Sequence, residues 1–278
     1  MLFRSAAAIA AVHHLLLAHG LGLAAIREQA PAADAGITLN LFPVEPADSV
    51  NESDVDAARR IDGLQNRIFL DPVLRGNYPA DLRADLAPYG LAGHVHDGDL
   101  ELISAPIDLL GVNYNRAHTV SGSAVPATSP SEWVGAEDVQ FVSRGLPRTD
   151  SGWEVQPPGL VDVLVRLHEE YPRVPLHITE NGAAYQDIVD PDGAIRVHQR
   201  IAFLDAHLRA AHAAIEHGVD LRGYFYWSLL DNFEWAEGYA KRFGIVHVDF
   251  VSQRRTPKES ARWYAKVIAG NGLPRAAG

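Results

Sequence analysis

The sequence predicts an α/β fold in which parallel strands alternate with helices. Four short segments are apolar at almost every position, which is typical of strands buried on both faces of a helix-covered sheet. Each of them is followed further along the chain by a stretch with helical character. No internal repeat or low-complexity linker divides the 278 residues, so a single domain over 1–278 is predicted. The predicted strands are 36–40, 108–114, 175–179 and 221–228.

Apolar spacing and end signals predict the helices between these strands. Val55, Ala58 and Ile61 recur at helical spacing and are expected to face the core. Thr256 is predicted as the N-cap of the last helix, with Glu259 at the capping-box position. A loop rich in Ser, Pro and Gly is predicted over about 121–150. The other predicted helices are 6–29, 54–69, 158–171 and 197–217.

The first 26 residues allow two interpretations, a signal peptide or a helix of the mature protein. His13, His14 and His19 interrupt the apolar stretch, and no convincing cleavage site follows, so a structural helix is favoured. No segment reaches the roughly 18 unbroken apolar residues of a membrane span. No membrane association is therefore expected, and a cytoplasmic location is predicted.

Composition argues against several classes of function. The net charge of -11 and the lack of a basic patch argue against nucleic-acid binding. There is no cysteine, hence no disulfide and no thiolate metal site. His13 and His14, like His94 and His96, have no third ligand placed with them, so no metal is expected.

A carboxylate follows the third predicted strand directly. The run Ile178-Thr179-Glu180-Asn181-Gly182 places Glu180 between an apolar strand and a glycine turn. A single glutamate is more often a solvated surface residue. Here the strand and the turn put the carboxylate on the rim of the sheet, where a partly buried and fixed carboxylate can act as a nucleophile.

Aromatic and polar residues alternate after the fourth predicted strand, over 226–235 and on to 242–244. An aromatic core segment is one interpretation. Core packing alone does not explain Asp231, Asn232 and Glu234 among the aromatic residues. Indole faces combined with carboxylate and amide groups suit the C–H face and the hydroxyls of a sugar ring.

These motifs, together with 110–114 and 152–160, resemble glycoside hydrolase family 1, and specifically its bacterial β-glucosidases. The resemblance runs from about Ser5 to about Pro274. It implies a TIM (β/α)8 barrel, whose active site lies at the carboxyl ends of the strands. It also implies retaining hydrolysis of a small β-glucoside or cello-oligosaccharide, with no metal or organic cofactor.

The resemblance assigns roles position by position. Glu180 matches the nucleophile, Trp227 the tryptophan beneath the first sugar, and Glu234 the carboxylate that binds the distal hydroxyls. Phospho-glycosidases of the family carry serine at the Glu234 position, and Glu234 would repel a phosphate, so free sugars are favoured. The other matching substrate-binding positions are Asn40, Asn113, Trp235 and Phe243.

Two departures from the family pattern stand out. Asn115 occupies the place of a tyrosine that hydrogen-bonds the nucleophile. The Asn-Glu-Pro motif that carries the acid/base glutamate does not occur, and neither do the glutamine and histidine of the family's first strands. The nearest string, Asn51-Glu52-Ser53, precedes a predicted helix.

The sequence therefore predicts only the C-terminal half of a barrel, about strands 5 to 8, as one incomplete domain. Residues 1–5 do not resemble the family and are expected to be non-native. A β-glucosidase impaired by loss of its acid/base residue is favoured, and a non-hydrolytic sugar-binding remnant or an inactive fragment is the alternative. Open sheet edges predict poor solubility or self-association.

Overall fold

The computed structural model describes residues 6–122 and 133–273. Residues 1–5, which were predicted to be non-native, and the middle of the loop predicted over 121–150 lie outside these ranges. The α-helices are α1 Ala6–Gln29, α2 Glu52–Asp62, α3 Ile68–Arg75, α4 Ala80–Asp85, α5 Asp99–Ile103, α6 Pro157–Glu170, α7 His198–Glu216 and α8 Glu259–Gly270. The strands are β1 Gly36–Asn40, β2 Val44–Pro46, β3 Leu109–Asn113, β4 His118–Gly122, β5 Val139–Phe141, β6 Leu176–Asn181, β7 Leu221–Tyr226, β8 Val246–Val248 and β9 Arg255–Pro257.

The main sheet contains the four predicted strands in the order β1-β3-β6-β7, and every neighbouring pair is parallel. The predicted parallel arrangement is confirmed. Asn40 lies opposite Asn113, and Asn113 lies opposite Glu180 across a register shift at Val112/Asn113. The carboxyl ends of three strands therefore bring these three side chains to one edge of the sheet.

One face of this sheet packs on helices. Leu110, Val112 and Ile178 are fully buried and form one cluster with Leu164 of α6 and Ala214 of α7. Burying a side chain of this size contributes about 1.5–3 kcal/mol relative to leaving it in water. This layer holds the strands in register and so sets the relative positions of their ends.

The opposite face of the sheet is open in the described residues. Thr38 and Asn40 of β1 are exposed, and Phe225 of β7 is 58% exposed. The expectation that the strands are buried on both faces is wrong for this face. In a closed barrel these alternate positions point into the enclosed interior, but four strands do not close on themselves.

The predicted N-terminal helix is confirmed as α1. By length and composition alone α1 is apolar enough to cross a membrane, which the count of unbroken apolar residues did not indicate. In the structure Ile9, Val12 and Leu16 are buried in a cluster with Ile68 of α3 and Ile103 of α5. One face of α1 is thus part of the core.

In the helix predicted over 54–69, Ala58 and Ile61 are buried as predicted, but Val55 at its start is not. Val55 is 45% exposed, whereas Asp54 is buried and accepts hydrogen bonds from the Ser121 hydroxyl (2.7 Å) and the Gly122 amide (2.9 Å). A π-helical turn over Gly63–Arg67 joins α2 to α3. The hydrogen bonds to β4 hold Asp54, and not its neighbour Val55, against the protein interior.

The predicted cap of the last helix is wrong. Thr256 lies in β9 and pairs with His247 of β8 in an antiparallel hairpin. Lys258 occupies the N-cap position of α8 without a side-chain capping bond. Thr256 belongs to the hairpin because its backbone is paired with β8. Lys258 is held by the ion pairs described below. A small second sheet, β2-β4-β5, was not predicted.

Candidate active site

The backbone links the strand ends on which the site is built. The Leu41 amide donates to the Asn113 carbonyl (3.0 Å), and the Tyr114 amide donates to the Glu180 carbonyl (2.9 Å). The Asn181 side chain is fully buried between two strands. Its amide donates to the Tyr114 carbonyl (2.7 Å) and accepts from the Tyr224 hydroxyl (2.6 Å). Glu180 therefore lies on a backbone fixed from both neighbouring strands.

The Glu180 carboxylate is half-buried at the carboxyl end of β6. Burial raises the pKa of Glu180 above its usual value, a hydrogen bond from Asn113 lowers this pKa, and the charge of Glu234 raises it. The Thr179 hydroxyl donates to Oδ1 of Asn113 at 2.8 Å. Among the predicted residues, the structure thus places Asn113 opposite Glu180 on the neighbouring strand.

Trp227 and Glu234 form a second pair on the segment that follows β7. The indole N–H of Trp227 lies close enough to the Glu234 carboxylate to lower the pKa of Glu234, although burial raises this pKa more. Oε2 of Glu234 is buried and has no hydrogen-bond partner among the residues that the structure describes. The charge of this carboxylate is close enough to Glu180 to affect its pKa.

The two aromatic residues assigned to the surrounding wall differ in exposure. Phe243 is 2% exposed, and its ring centroid lies 5.8 Å from that of Trp153. Trp235 is 82% exposed, with a φ of 44° that non-glycine residues rarely adopt. Phe243 is thus a buried support of the site, whereas the indole of Trp235 faces solvent.

Asn40 and Asn115 lie together on the open side of the sheet. Both line a pocket of about 520 Å³ whose aromatic walls include Trp133 and Trp153. Asn115, the residue that replaces a tyrosine of the family pattern, is half-buried there. The pocket adjoins the strand ends on the side of β1.

Two glycines allow the loops of the site to approach each other. A Cβ atom on Gly182 would lie 1.9 Å from the Trp227 carbonyl oxygen, and one on Gly244 would lie 2.2 Å from the Asp231 amide nitrogen. Real Cβ contacts are never this short. The turn after Glu180 can therefore pack on the backbone of Trp227 only because residue 182 has no side chain.

A buried ion network beneath these loops was missed at the sequence level. Asp187 pairs with Arg200 (3.0 Å) and with Lys258, and Asp231 pairs with Lys258 (2.8 Å) and with Arg242 (2.7 Å). Apart from Arg242, these side chains are 0% exposed. The one available sequence signal was an aspartate, Asp231, within an aromatic segment.

The same network fixes the backbone of the site loops. Arg200 donates to the Ala183 carbonyl (2.5 Å) and the Phe243 carbonyl (3.2 Å), while Asp231 accepts from the Gly244 amide (3.0 Å). The loop after β6 and the loop after β7 are thereby joined through α7 and the start of α8. Glu180 and Trp227 depend on this shared support.

The histidines outside the site have other partners. His13 is buried, with Nδ1 3.0 Å from the Tyr78 hydroxyl and Nε2 3.2 Å from Asp99 Oδ2. Across 6–122 and 133–273, no group of three or more His, Cys, Asp or Glu is arranged to hold a metal ion. These contacts tie α1 to the segments that pack on it.

Replacing Glu234 with Gln is expected to lower the pKa of Glu180. The change removes a negative charge that favours the protonated form of Glu180, while the side-chain shape is kept. The pKa is measured by a ¹³C NMR titration of glutamate carboxyls, with the Glu180 signal assigned by its loss in Glu180→Gln. Glu169→Gln, an exposed position on α6, is the control. An unchanged pKa in Glu234→Gln would show that the two carboxylates do not interact.

Comparison with known proteins places this geometry in a family. The family described as "Glycosyl hydrolase family 1" matches residues 3–273. The chain is 46% identical over 271 residues to a bifunctional β-D-glucosidase/β-D-fucosidase of Bifidobacterium breve. It is 48% identical over 267 residues to the thermostable β-glucosidase B of Thermobispora bispora.

Solved structures show the same likeness. A psychrophilic β-glucosidase of Micrococcus antarcticus superposes with a TM-score of 0.91 at 52% identity, over 96% of this chain and 59% of that one. A family 1 β-glucosidase of Thermotoga maritima in complex with isofagomine lactam superposes with a TM-score of 0.86 at 41% identity, over 95% and 57%. The two curated relatives are matched over 94% and 95% of this chain, but the chain spans only 57% and 53% of their lengths.

Proposed function

This chain belongs to glycosyl hydrolase family 1, and on that premise we propose that the carboxyl edge of its main sheet is part of the active site of a retaining β-glucosidase with Glu180 as nucleophile. The observation that carries the proposal is the position of a half-buried Glu180 opposite Asn113 at the carboxyl ends of parallel strands. The edge formed by the carboxyl ends of parallel strands is where barrel enzymes build their active sites.

The proposed reaction has two displacement steps. An oxygen of the Glu180 carboxylate attacks the anomeric carbon of a β-glucoside, the bond to the aglycone oxygen breaks, and a covalent glycosyl-enzyme forms. Water then attacks the same carbon, the ester bond to Glu180 breaks, and glucose and the free carboxylate are released while the proton of the water passes to the solvent. The hydrogen bond from Asn113 helps to keep Glu180 ionised, and hence nucleophilic, against the effect of burial.

Trp227 and Glu234 are proposed to bind the glucose ring. The indole offers an apolar face to the C–H groups of the sugar, and Glu234 can accept hydrogen bonds from two of its hydroxyls. The buried Oε2 of Glu234, which has no partner among the described residues, supports this role. A negative Glu234 disfavours phosphorylated sugars, so free β-glucosides or cello-oligosaccharides are the proposed substrates.

The chain is proposed to correspond to about strands 5 to 8 of the barrel and to lack the acid/base carboxylate. No Asn-Glu-Pro motif occurs in the sequence. Asn51 instead caps α2, accepting a hydrogen bond from the Ser53 amide (3.0 Å), and Glu52 lies in the first turn of that helix. Retaining enzymes place the second carboxyl about 5–5.5 Å from the nucleophile. Loss of this second carboxyl is expected to reduce the rate of cleavage by about 10²–10⁴-fold for leaving groups that need a proton.

The test compares two substrates on this chain. Dinitrophenolate leaves without protonation, so 2,4-dinitrophenyl β-glucoside should be cleaved, whereas methyl β-glucoside should not be cleaved measurably. Equal cleavage of both would overturn the proposed loss of the acid/base residue. No cleavage of either, in a chain with a cooperative melting transition, would overturn the proposed activity.

A non-hydrolytic sugar-binding remnant is the second candidate, because the contact between Trp227 and Glu234 does not depend on an acid/base residue. A glucose-dependent rise in melting temperature without turnover would favour it. Without a cooperative melting transition, an inactive fragment would be favoured. Self-association through the open face around Phe225 also stays a prediction, which a monodisperse monomer in light scattering would contradict. The cytoplasmic location stays a prediction that fractionation of the source cells would check.

A further inference from the structure

We propose that Thr179 is a positioning residue of the candidate active site, whose hydroxyl orients the Asn113 amide so that its NH2 group faces the Glu180 carboxylate. The inference rests on the proposed role of Glu180. Thr179 has no assigned role in the sequence motifs. It lies beside Glu180 on β6 and contacts Asn113 across the strand pair.

The geometry determines which end of the amide faces the carboxylate. The Thr179 hydroxyl donates to Oδ1 of Asn113 at 2.8 Å, so the carbonyl end of this amide is directed at Thr179. An ionised carboxylate only accepts hydrogen bonds, so its bond with Asn113 must come from the NH2 end. An amide turned by half a rotation would direct its oxygen at the carboxylate and repel it. In the observed orientation, the Thr179 hydroxyl stabilises the amide through its hydrogen bond to Oδ1.

β3 lies between the strands of Thr38 and Thr179, and its residue Gly111 leaves room for both threonine side chains. A Cβ atom on Gly111 would lie 2.9 Å from Oγ1 of Thr179 and 2.3 Å from Oγ1 of Thr38. Both threonines therefore lie over Gly111 on the open face of the sheet. Thr38 belongs to β1 on the far side of β3, which makes it a matched control for loss of a hydroxyl from the same face.

The experiment is a ¹³C NMR titration of Glu180 in the full chain and in the variants Thr179→Val, Thr179→Ser and Thr38→Val. Thr179→Val keeps the shape of the side chain and removes the hydroxyl. It is expected to raise the pKa of Glu180, because the stabilising hydrogen bond to the carboxylate is weakened. Thr179→Ser restores the hydroxyl and, like Thr38→Val, should titrate as the unsubstituted chain does.

The second readout is the pH profile of dinitrophenyl β-glucoside cleavage. Only the ionised carboxylate attacks, so Thr179→Val should lose about 10-fold in kcat/KM on the acid side of the profile and recover as the pH rises. A merely structural role for Thr179 would lower the rate equally at all pH values. This uniform loss would overturn the proposal, as would a pKa of Glu180 that does not change in Thr179→Val.

A double variant tests whether Thr179 acts through Asn113. Asn113→Ala should raise the pKa of Glu180 at least as far as Thr179→Val does, and adding Thr179→Val to Asn113→Ala should raise it no further. Additive effects would contradict the inference. Should Thr179→Val not fold, Thr179→Ala removes the same hydroxyl and must give the same rise. The titration needs no turnover, so an inactive chain would refute the proposed function without deciding the role of Thr179.

Discussion

Replacing Glu180 with Gln is expected to abolish dinitrophenol release from 2,4-dinitrophenyl β-glucoside. The amide keeps the shape of the side chain but has no anionic oxygen to form the bond to the anomeric carbon. Loss of a nucleophile that acts as part of a catalytic unit reduces kcat by roughly 10⁴-fold or more. The measurement is dinitrophenol absorbance with time, beside the uncatalysed rate in buffer.

Glu237→Gln is the matched control for this substitution. Glu237 is an exposed residue of the short 3-10 turn Trp235–Glu237, three positions after Glu234. Its replacement changes the net charge by the same amount and should leave the rate unchanged. Release that persists in Glu180→Gln but not in Glu234→Gln would exclude Glu180 as the nucleophile.

The pH dependence of the same reaction has a defined sign. Burial and the charge of Glu234 raise the pKa of Glu180 more than the Asn113 hydrogen bond lowers it. Because the carboxylate is the reactive form, cleavage should rise with pH through this raised pKa. The acid limb should therefore lie at higher pH than the pKa of an ordinary glutamate predicts.

Replacing Lys258 with Met is expected to destabilise the fold by about 3–5 kcal/mol. The Lys258 ammonium lies between Asp187 and Asp231, and all three side chains are 0% exposed. Without Lys258, Asp187 keeps only Arg200 and Asp231 keeps only Arg242 as an ion-pair partner. The two buried carboxylates then repel each other, because no cation lies between them. The free energy of unfolding is measured by urea denaturation, provided that the transition is two-state.

Lys266→Met is the control for this prediction. Lys266 is an exposed residue of the same helix, α8, and its replacement removes the same charge from the surface. A change within about 0.5 kcal/mol is expected there. Equal losses in the two variants would mean that the buried pairs contribute no more than a surface charge. A larger loss in Lys258→Met should also lower dinitrophenol release, since Asp231 holds the Gly244 amide in the site loop.

Much of the fold could be predicted from local patterns. The four parallel strands were predicted because each is a short apolar run separated from the next by helical segments. Glu180 at the end of β6 was predicted because the strand and the glycine turn are adjacent to it in the chain. The family could be recognised from contiguous motifs, and the match over 3–273 confirms it.

The exposure of Val55 and the cap of the last helix were not predictable in the same way. Asp54 is buried and Val55 is exposed because β4 supplies hydrogen bonds to the aspartate from residues 121 and 122. The residues around Thr256 are typical of an N-cap, but Thr256 pairs with His247 of β8 in a β-hairpin. In both places a distant segment competes with the local preference and prevails.

The sequence by itself determined the order of strands and helices, the family and the position of Glu180 at a strand end, since these depend on neighbours within a few residues. Only the tertiary structure decided the surroundings of that carboxylate. The contact of Thr179 with Asn113 joins residues 66 positions apart, and the ion pair of Lys258 with Asp187 joins residues 71 positions apart. Contacts across such separations leave no periodic pattern in a single sequence, because they arise only when packing brings distant segments together.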